Sequence, residues 1–425
     1  MRKKILRIGI FGLGTVGTGV VELLMRKKGK IGDFCFYLEK VVVRDISKKR
    51  ELSLSPGILS SDPGDIIDNP AIDTVIEVIG GLHPAKEFVM GALEKGKNVI
   101  TANKELLATS GRDIFQKAAE KGCYLGVRAS NIAAYRLIES LTSSPSRIEK
   151  LVGVFNGTCN YILTGMEKKG KEFEELLREA QNLGYAEPDP SDDINGKDTA
   201  HKLAVLLGLT LGYFPSLDLI YTEGIEKVRQ EDVRFAEELG YKIKLLAIAK
   251  REEGFLEARV HPALIPKDRW LARLEGVENG LEIRDEIGLE IGMQAPGAGK
   301  YPTATAIIED LMCIVQDRKV FLPSQHLSIT LKPIDQIETK YYLKFYAIDR
   351  PGVLARIASV LGEKDISIES VIQKGKESDE GGYVPIIMLT HRAREENMQK
   401  ALEIIKHLPV IRKQPFLIRV EEGIF

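Results

Sequence analysis

The sequence predicts three folds in succession: an α/β domain with a parallel sheet, an α+β domain with a mostly antiparallel sheet, and a small βαββαβ module. Three observations carry this. Apolar strand-like runs alternate with amphipathic helical stretches up to about residue 135, the pattern of a parallel sheet covered by helices on both faces. Between about residues 136 and 320 the runs lengthen and turn back on themselves. Residues 341–425 then run strand, helix, strand, strand, helix, strand, the order of a ferredoxin-like module.

The elements follow in order. ILRIGIF (5–11) is a strand, and the Gly-rich stretch after it opens a helix pattern. VVV (41–43), DTVIEVIGG (73–81), KNVITANK (97–104) and YLGV (124–127) supply further strands. The helical stretches between them include one that begins near Pro84, where a missing N–H costs nothing. LVGVFNG opens the second domain as a strand, EFEELLREAQNLGY is an amphipathic helix, and the polar loop AEPDPSDDING leads into the helix KDTAHKLAVLLGL. YKIKLLAIAKREEGFLEARVHPALI reads as a β-hairpin turning at Glu253-Gly254, and GLEIRDEIGLEIGM as another. The helix at 302–318 is expected to pack back on the first domain, and residues 321–340, with the polar LKPIDQIETK, to form a linker.

Composition narrows the function. Lys and Arg number 60 against 61 Asp and Glu, so nothing in the net charge of -1 asks for nucleic acid or an anionic membrane. No apolar run approaches the length of a membrane span, and Arg7 interrupts the N-terminal apolar stretch where a signal peptide would be continuous. Cys35, Cys123, Cys159 and Cys313 share no metal-binding spacing, and the six histidines form no HxH or HExxH pattern. A cytoplasmic protein with no metal site is expected.

Gly12, Gly14 and Gly17 form GxGxxG between a strand and a helix. The first glycine serves a tight turn, the second lets backbone approach a pyrophosphate, and the third allows close helix packing; the helix N-terminus attracts the anion. This is a Rossmann dinucleotide site, with Thr15 and Val16 inside the loop. The second strand ends in Arg44 followed by Asp45. A guanidinium there favours the 2′-phosphate of NADP, and the adjacent acid leaves NAD possible. Lys104 falls at the C-terminal end of a parallel strand, where ligands bind in such sheets. APGAG (295–299), ending in Gly299, is a second Gly-rich turn before a helix.

Asp198 and Lys202 are four apart and share a helix face with Val205 and Leu209, so the pair is expected to face an interior, although spacing alone equally suits a solvated surface bridge. Glu187, Asp189, Asp192 and Asp193 precede them. That cluster suits a ligand ammonium or an ordinary solvated helix entry, and composition does not separate the two.

Over nearly its whole length the chain resembles homoserine dehydrogenase with a C-terminal ACT domain. The resemblance rests on GLGTVG (12–17), IGGLHPA (79–85), VITANKELLA (99–108), NGTCNYI (156–162), TEGI (222–225), VHPALIP (260–266), PGAGKYPTA (296–304) and above all LGYAEPDPSDDINGKDTAHKLA (183–204). It implies NAD(P)-linked interconversion of L-homoserine and L-aspartate 4-semialdehyde, in threonine and methionine biosynthesis, by a homodimer or higher homo-oligomer. The fold it implies is an α/β Rossmann domain (1–135), an α+β catalytic and dimerisation domain (136–320) and an ACT regulatory domain (341–425). Lys202 becomes the proton donor, Asp198 its partner on the substrate hydroxyl side, and Lys104 a contact to the cofactor or the reacting oxygen. Glu187, Asp192, Asn156 and Thr158 become substrate contacts. Asp349, Gly352, Val353 and Leu354, in the turn DRPGVL, would hold an amino-acid effector such as threonine. Truncation near Lys340 is expected to leave an active core that no longer responds.

One departure stands out. Where the family carries an acid of a monovalent-cation site, this chain has Arg128, and Ala134 and Tyr135 stand in place of two small flexible residues. A guanidinium there repels sodium and can fill the site itself. Two other readings remain: a catalytically impaired sensor of an amino acid or dinucleotide, and a related amino-acid aldehyde dehydrogenase or reductase. Retention of Lys104, Glu187, Asp198 and Lys202 together argues against decay.

Overall fold

The computed structural model describes residues 5–27, 29–50, 52–130, 147–252, 254–297, 299–317, 329–373 and 382–423. Ala134, Tyr135 and Glu253, all named above, lie outside them. So do residue 318 and the stretch 321–328 of the expected linker. The described chain divides into two compact units, residues 1–148, 200–218 and 293–328 in one and 149–199, 219–292 and 329–425 in the other.

The first unit is built on β1 (Ile5–Phe11), β2 (Lys30–Ile31), β3 (Phe34–Val42), β4 (Leu59–Ser60), β5 (Thr74–Glu77), β6 (Asn98–Thr101) and β7 (Leu125–Gly126). Their order is β2-β3-β1-β5-β6-β7, with β4 on β3, and all neighbours are parallel except the short β2. The second strand is longer than the sequence suggests, because Cys35–Leu38 and Lys40 also pair with β1 although these residues mix apolar and polar. Register aligns Phe11, Val42, Glu77 and Thr101 in one row across the sheet. The four loops that follow therefore leave along one edge, the carboxyl edge where α/β sheets bind ligands. One face is packed by the helix Thr15–Arg26 together with the helix Lys300–Val315, whose Ala304, Ile307 and Leu311 are fully buried against Ile8, Ile10 and Val20.

The second unit holds β8 (Ile148–Val154), β9 (Tyr221–Thr222), β10 (Tyr241–Glu252), β11 (Phe255–Pro266), β12 (Glu278–Asp285), β13 (Glu290–Pro296), β14 (Thr330–Leu331), β15 (Glu338–Ile348), β16 (Ile368–Gln373), β17 (Tyr383–Thr390), β18 (Ala393–Arg394) and β19 (Phe416–Val420). Among the described residues they form one sheet, β13-β12-β8-β10-β11-β19-β15-β17-β16, with β9 and β14 on β11 and β18 on β15. β10 and β11 pair residue for residue from Tyr241↔Pro266 to Glu252↔Phe255.

The C-terminal module is sewn into this sheet. β19 runs parallel to β11 at Ala263↔Arg419 and Leu264↔Val420, and antiparallel to β15 from Lys340↔Val420 to Lys344↔Phe416. One face of β15, with Tyr341, Leu343 and Phe345 fully buried, packs on the helices Val353–Gly362 and Glu395–Ile405. Its other face meets the helix Gln230–Glu238. There Tyr342 Oη donates to the fully buried Asp232 (3.1 Å) and Lys344 pairs with Asp232 and Glu231 (2.7 Å each).

Candidate active site

The glycine loop leaves β1 at Gly12, whose φ of +100° places it in a region that L side chains avoid. A Cβ on Gly17 would collide with the Gly12 carbonyl, so the third glycine sets how closely helix meets strand. At Gly14 a Cβ would meet no atom of the described residues within 4 Å, which leaves space where the motif expects a pyrophosphate. Among the described residues no side chain caps the N-terminus of the helix Thr15–Arg26, and its first turn holds no acid, so the positive end formed by its free N–H groups is uncompensated. Gly14 and Thr15 are exposed and Val16 half-buried. These features fit a dinucleotide phosphate.

Arg44 is exposed just beyond β3. Asp45 turns into its own loop, accepting from Ser47 N (2.8 Å) and Ser47 Oγ (2.6 Å), and those bonds hold its carboxyl below the usual range. Lys48, Lys49 and Arg50 follow, so the rim of this strand end is basic. Gly299 caps the helix Lys300–Val315 on the same unit, at φ +141°.

A buried residue that the sequence reading passed over organises the next two loops. Glu77, fully buried at the end of β5, accepts from Ile79 N (2.8 Å) and Thr101 Oγ1 (2.6 Å). Burial raises its carboxyl above the ordinary range, against the pull of those donors. Thr101 Oγ1 in turn accepts from Asn103 N (3.0 Å). Asn103 then caps the helix Lys104–Lys121 through Leu106 N (3.0 Å) and donates to Gly81 O (2.7 Å). Lys104 is the first residue of that helix and is half-buried. An acid inside an apolar strand, IEVIGG, was the available signal.

The second cluster surrounds Asn156, which follows β8 and caps the helix Gly157–Lys169 by accepting from Cys159 N (2.8 Å). Its Nδ2 donates to Asp193 Oδ1 (2.8 Å) and to Asp198 Oδ2 (3.0 Å), so one neutral amide draws two carboxylates together. Thr158 Oγ1 lies 3.2 Å from Asp193 Oδ2 and 2.8 Å from Tyr185 O. Asp198 is buried, Lys202 sits one turn on and is half-buried, and Val205 and Leu209 continue the buried face of the helix Lys197–Leu211. Glu187 is exposed on the loop before it.

The turn Ser191–Ile194 separates the two neighbouring acids. Asp193 joins Asn156, whereas Asp192, named as a substrate contact from the sequence, points outward beside Lys197 (3.9 Å). Successive side chains on a helical turn diverge by about 100°, so only one of the two faces inward.

Arg128 is buried in a short turn after β7 and is ion-paired with the fully buried Asp310 of the helix Lys300–Val315. Tyr124 Oη also donates to that carboxylate (2.8 Å), and so does Arg128 N (3.1 Å). Burial pushes the Asp310 carboxyl up to about 6 against the pull of Arg128. The sequence reading missed Asp310, whose only mark is an acid within the apolar run ATAIIEDLMCIV. Among the described residues, no group of three or more His, Cys, Asp or Glu could hold a metal, and no helix is long and apolar enough to cross a membrane.

In the C-terminal module, Gly352 has φ +85° and precedes the helix Val353–Gly362; Asp349, Gly352 and Leu354 are exposed while Val353 is buried.

Comparison with known proteins agrees with this layout. Residues 12–128 match the family described as Homoserine dehydrogenase, NAD binding domain, residues 135–312 match Homoserine dehydrogenase, and residues 341–407 match the ACT domain. Homoserine dehydrogenase of Pseudomonas aeruginosa is 39% identical, with 99% of each chain covered, and that of Bacillus subtilis is 35% identical, with 98% of this chain and 99% of the relative covered. The crystal structure of a homoserine dehydrogenase from Thiobacillus denitrificans superposes with a TM-score of 0.91 at 39% identity, over 99% of both chains. A putative homoserine dehydrogenase from Archaeoglobus fulgidus, 33% identical, covers 73% of this chain and 99% of its own, with a TM-score of 0.65. The chain belongs to the homoserine dehydrogenase family of NAD(P)-dependent oxidoreductases, in the form that carries a C-terminal ACT domain.

Proposed function

We propose that the chain interconverts L-homoserine and L-aspartate 4-semialdehyde through Lys202, Asp198 and the carboxylates around Asn156, with NADP preferred over NAD. The observation that carries this reading is the pair Asp193 and Asp198 held on one amide at the foot of the helix that bears Lys202. The two carboxylates that Asn156 gathers are acceptors of the kind that bind a cation, and the substrate's ammonium supplies one. Glu187 adds a third acid on the adjoining loop.

The nicotinamide dinucleotide, when bound, supplies or takes up the hydride. Gly12, Gly14, Thr15, Val16 and Gly17 would hold its pyrophosphate, Gly299 would border it, and Arg44 would pair with a 2′-phosphate. Negative charge that develops on the substrate C4 oxygen is met by Lys202, whose ammonium stabilises it and donates the proton. Buried Asp198, one turn away, keeps that ammonium oriented. Lys104, fixed by the Glu77–Thr101–Asn103 chain, adds a second positive charge on the cofactor side.

The Arg128–Asp310 pair supports a site that runs without a monovalent cation, since a guanidinium with its own buried counter-ion stands where the family has an acid. The open amide turn at Gly352 supports an amino-acid effector, threonine first among candidates. The edge strand β13, with Ile287 and Leu289 78% and 49% exposed at the tip of its hairpin, gives a homodimer a place to form. A cytoplasmic location suits such an enzyme.

The test is NADPH oxidation with aspartate semialdehyde beside other amino-acid aldehydes. Preference for aspartate semialdehyde is expected. A higher kcat/KM on another aldehyde would make the chain a related reductase, and dinucleotide binding without turnover would make it a sensor.

A further inference from the structure

Arg419 lies on β19 and is 3% exposed. Its guanidinium joins three segments of the chain. Nε and Nη2 form a two-pronged pair with the Glu395 carboxylate (2.9 and 2.5 Å). Nη1 donates to Glu223 Oε2 and Nη2 to Tyr221 Oη, each at 3.2 Å, and the guanidinium lies 4.7 Å from the centre of the Tyr221 ring. Burial disfavours the charge, but the two carboxylates outweigh it and hold the group firmly protonated. Glu395 is itself buried and opens the helix Glu395–Ile405 of the C-terminal module.

From Glu223 the contacts continue toward the substrate cluster. Glu223 N donates to Val260 O (2.8 Å), which ties this strap to β11. Gly224 packs so closely under the turn Ser191–Ile194 that a Cβ there would collide with the Ile194 carbonyl. Ile225 N donates to the same carbonyl (2.9 Å). Asp193, the residue before Ile194, is the one that shares Asn156 with Asp198. No interruption separates the module's Glu395 from the two carboxylates assigned to the substrate.

We infer that Arg419 is a positioning residue for substrate binding. It fixes the strap Tyr221–Ile225 and, through it, the turn that presents Asp193. Because its stronger pair is with Glu395, it is also the point at which a rearrangement of the module reaches the substrate carboxylates. The fork geometry matters: a lysine keeps the charge but cannot hold Glu395 and Glu223 at once in one plane. The inference rests on reading the cluster around Asn156 as the substrate site.

The experiment measures KM for homoserine, KM for the cofactor, kcat and the melting temperature in Arg419→Lys, Glu223→Gln and the double variant. Glu223, 26% exposed, can be neutralised without touching the Arg419–Glu395 pair, so this arm stays informative if Arg419→Lys folds poorly. Expected is a rise in homoserine KM of roughly 2- to 30-fold in each single variant, the range of couplings carried along packed contacts. The cofactor KM should stay put, and the double variant should be little worse than either single one. An unchanged homoserine KM in folded variants, or losses in both KM values that merely follow the melting temperature, would overturn the inference. Asn156→Ala runs alongside. If it raises homoserine KM while the Arg419 and Glu223 variants do not, the substrate site stands and only the role of Arg419 fails. If it too has no effect, the substrate-site reading fails, and the Arg419 inference with it.

Discussion

Glu421, one residue beyond β19, is the sharpest stability test that the fold offers. It is 3% exposed and faces Lys150 (3.1 Å), Lys250 (2.8 Å) and Arg259 (3.3 Å). Among the described residues Arg259 Nε and Nη1 have no hydrogen-bond partner, and Glu421 is nearer to its Nη2 than Glu257 (3.7 Å) is. Burial alone would raise the Glu421 carboxyl, but Lys250, Arg259 and Lys150 outweigh it and hold it at about 2 rather than 4.5. At about 1.4 kcal/mol per pH unit, that displacement corresponds to about 3 kcal/mol at neutral pH. Breaking a buried pair from one side costs a similar ~3–5 kcal/mol. Glu421→Gln should therefore destabilise the chain by about 3 kcal/mol in urea unfolding at neutral pH. The sign with pH is fixed. A depressed acid contributes stability that is complete above its unfolded value of 4.5 and is lost as pH falls toward 2, so the gap between the two proteins should close on acidification through that window. A variant within about 0.5 kcal/mol of the parent at neutral pH, or a gap that ignores pH, would refute the reasoning. The same contacts revise the expectation for a truncation near Lys340. Such a cut removes β19 and Glu421 together, uncovers the edge of β11, takes the buried acid from Lys150 and Lys250, and leaves Arg259 with the more distant Glu257 (3.7 Å), so it should not yield a stable core.

Other expectations follow from the cofactor and regulatory regions. Arg44→Ala should raise KM for NADPH more than for NADH, and equal effects would place Arg44 away from the ribose. Turnover should be the same in sodium and potassium at fixed ionic strength; saturable activation by one ion would mean that Arg128 does not substitute for it. Threonine should bind and inhibit the full chain, as read by calorimetry and initial rates, and Gly352→Val should weaken both, since a side chain there blocks the amide turn and strains a φ of +85°.

What the sequence disclosed was local. GxGxxG announces itself because a positive φ restricts Gly12 to glycine and a close helix–strand approach restricts Gly17, while Gly14 leaves space at a helix N-terminus. Asp198 and Lys202 are readable because helical spacing alone places them on one face. What stayed hidden depends on pairing between residues far apart in the chain. Asp310 reaches Arg128 across 182 positions and looks from sequence like an incidental acid in an apolar helix. Arg419 and Glu421, in FLIRVEE, read as the polar face of an edge strand. Only the docking of β19 between β11 and β15 turns that face inward, and the i,i+2 spacing of the two charges was the one hint. The choice between Asp192 and Asp193 was hidden for another reason, because adjacent acids on one turn differ only in which side the turn shows to Asn156.

The proposed mechanism turns on Lys202 supplying the proton to the developing alkoxide. Lys202→Ala should be assayed for NADPH oxidation with aspartate semialdehyde, with dinucleotide binding followed by fluorescence on the same sample. Turnover should fall by about 10²–10⁴-fold with binding and folding retained. Near-parental turnover in a folded variant that still binds dinucleotide would contradict that mechanism.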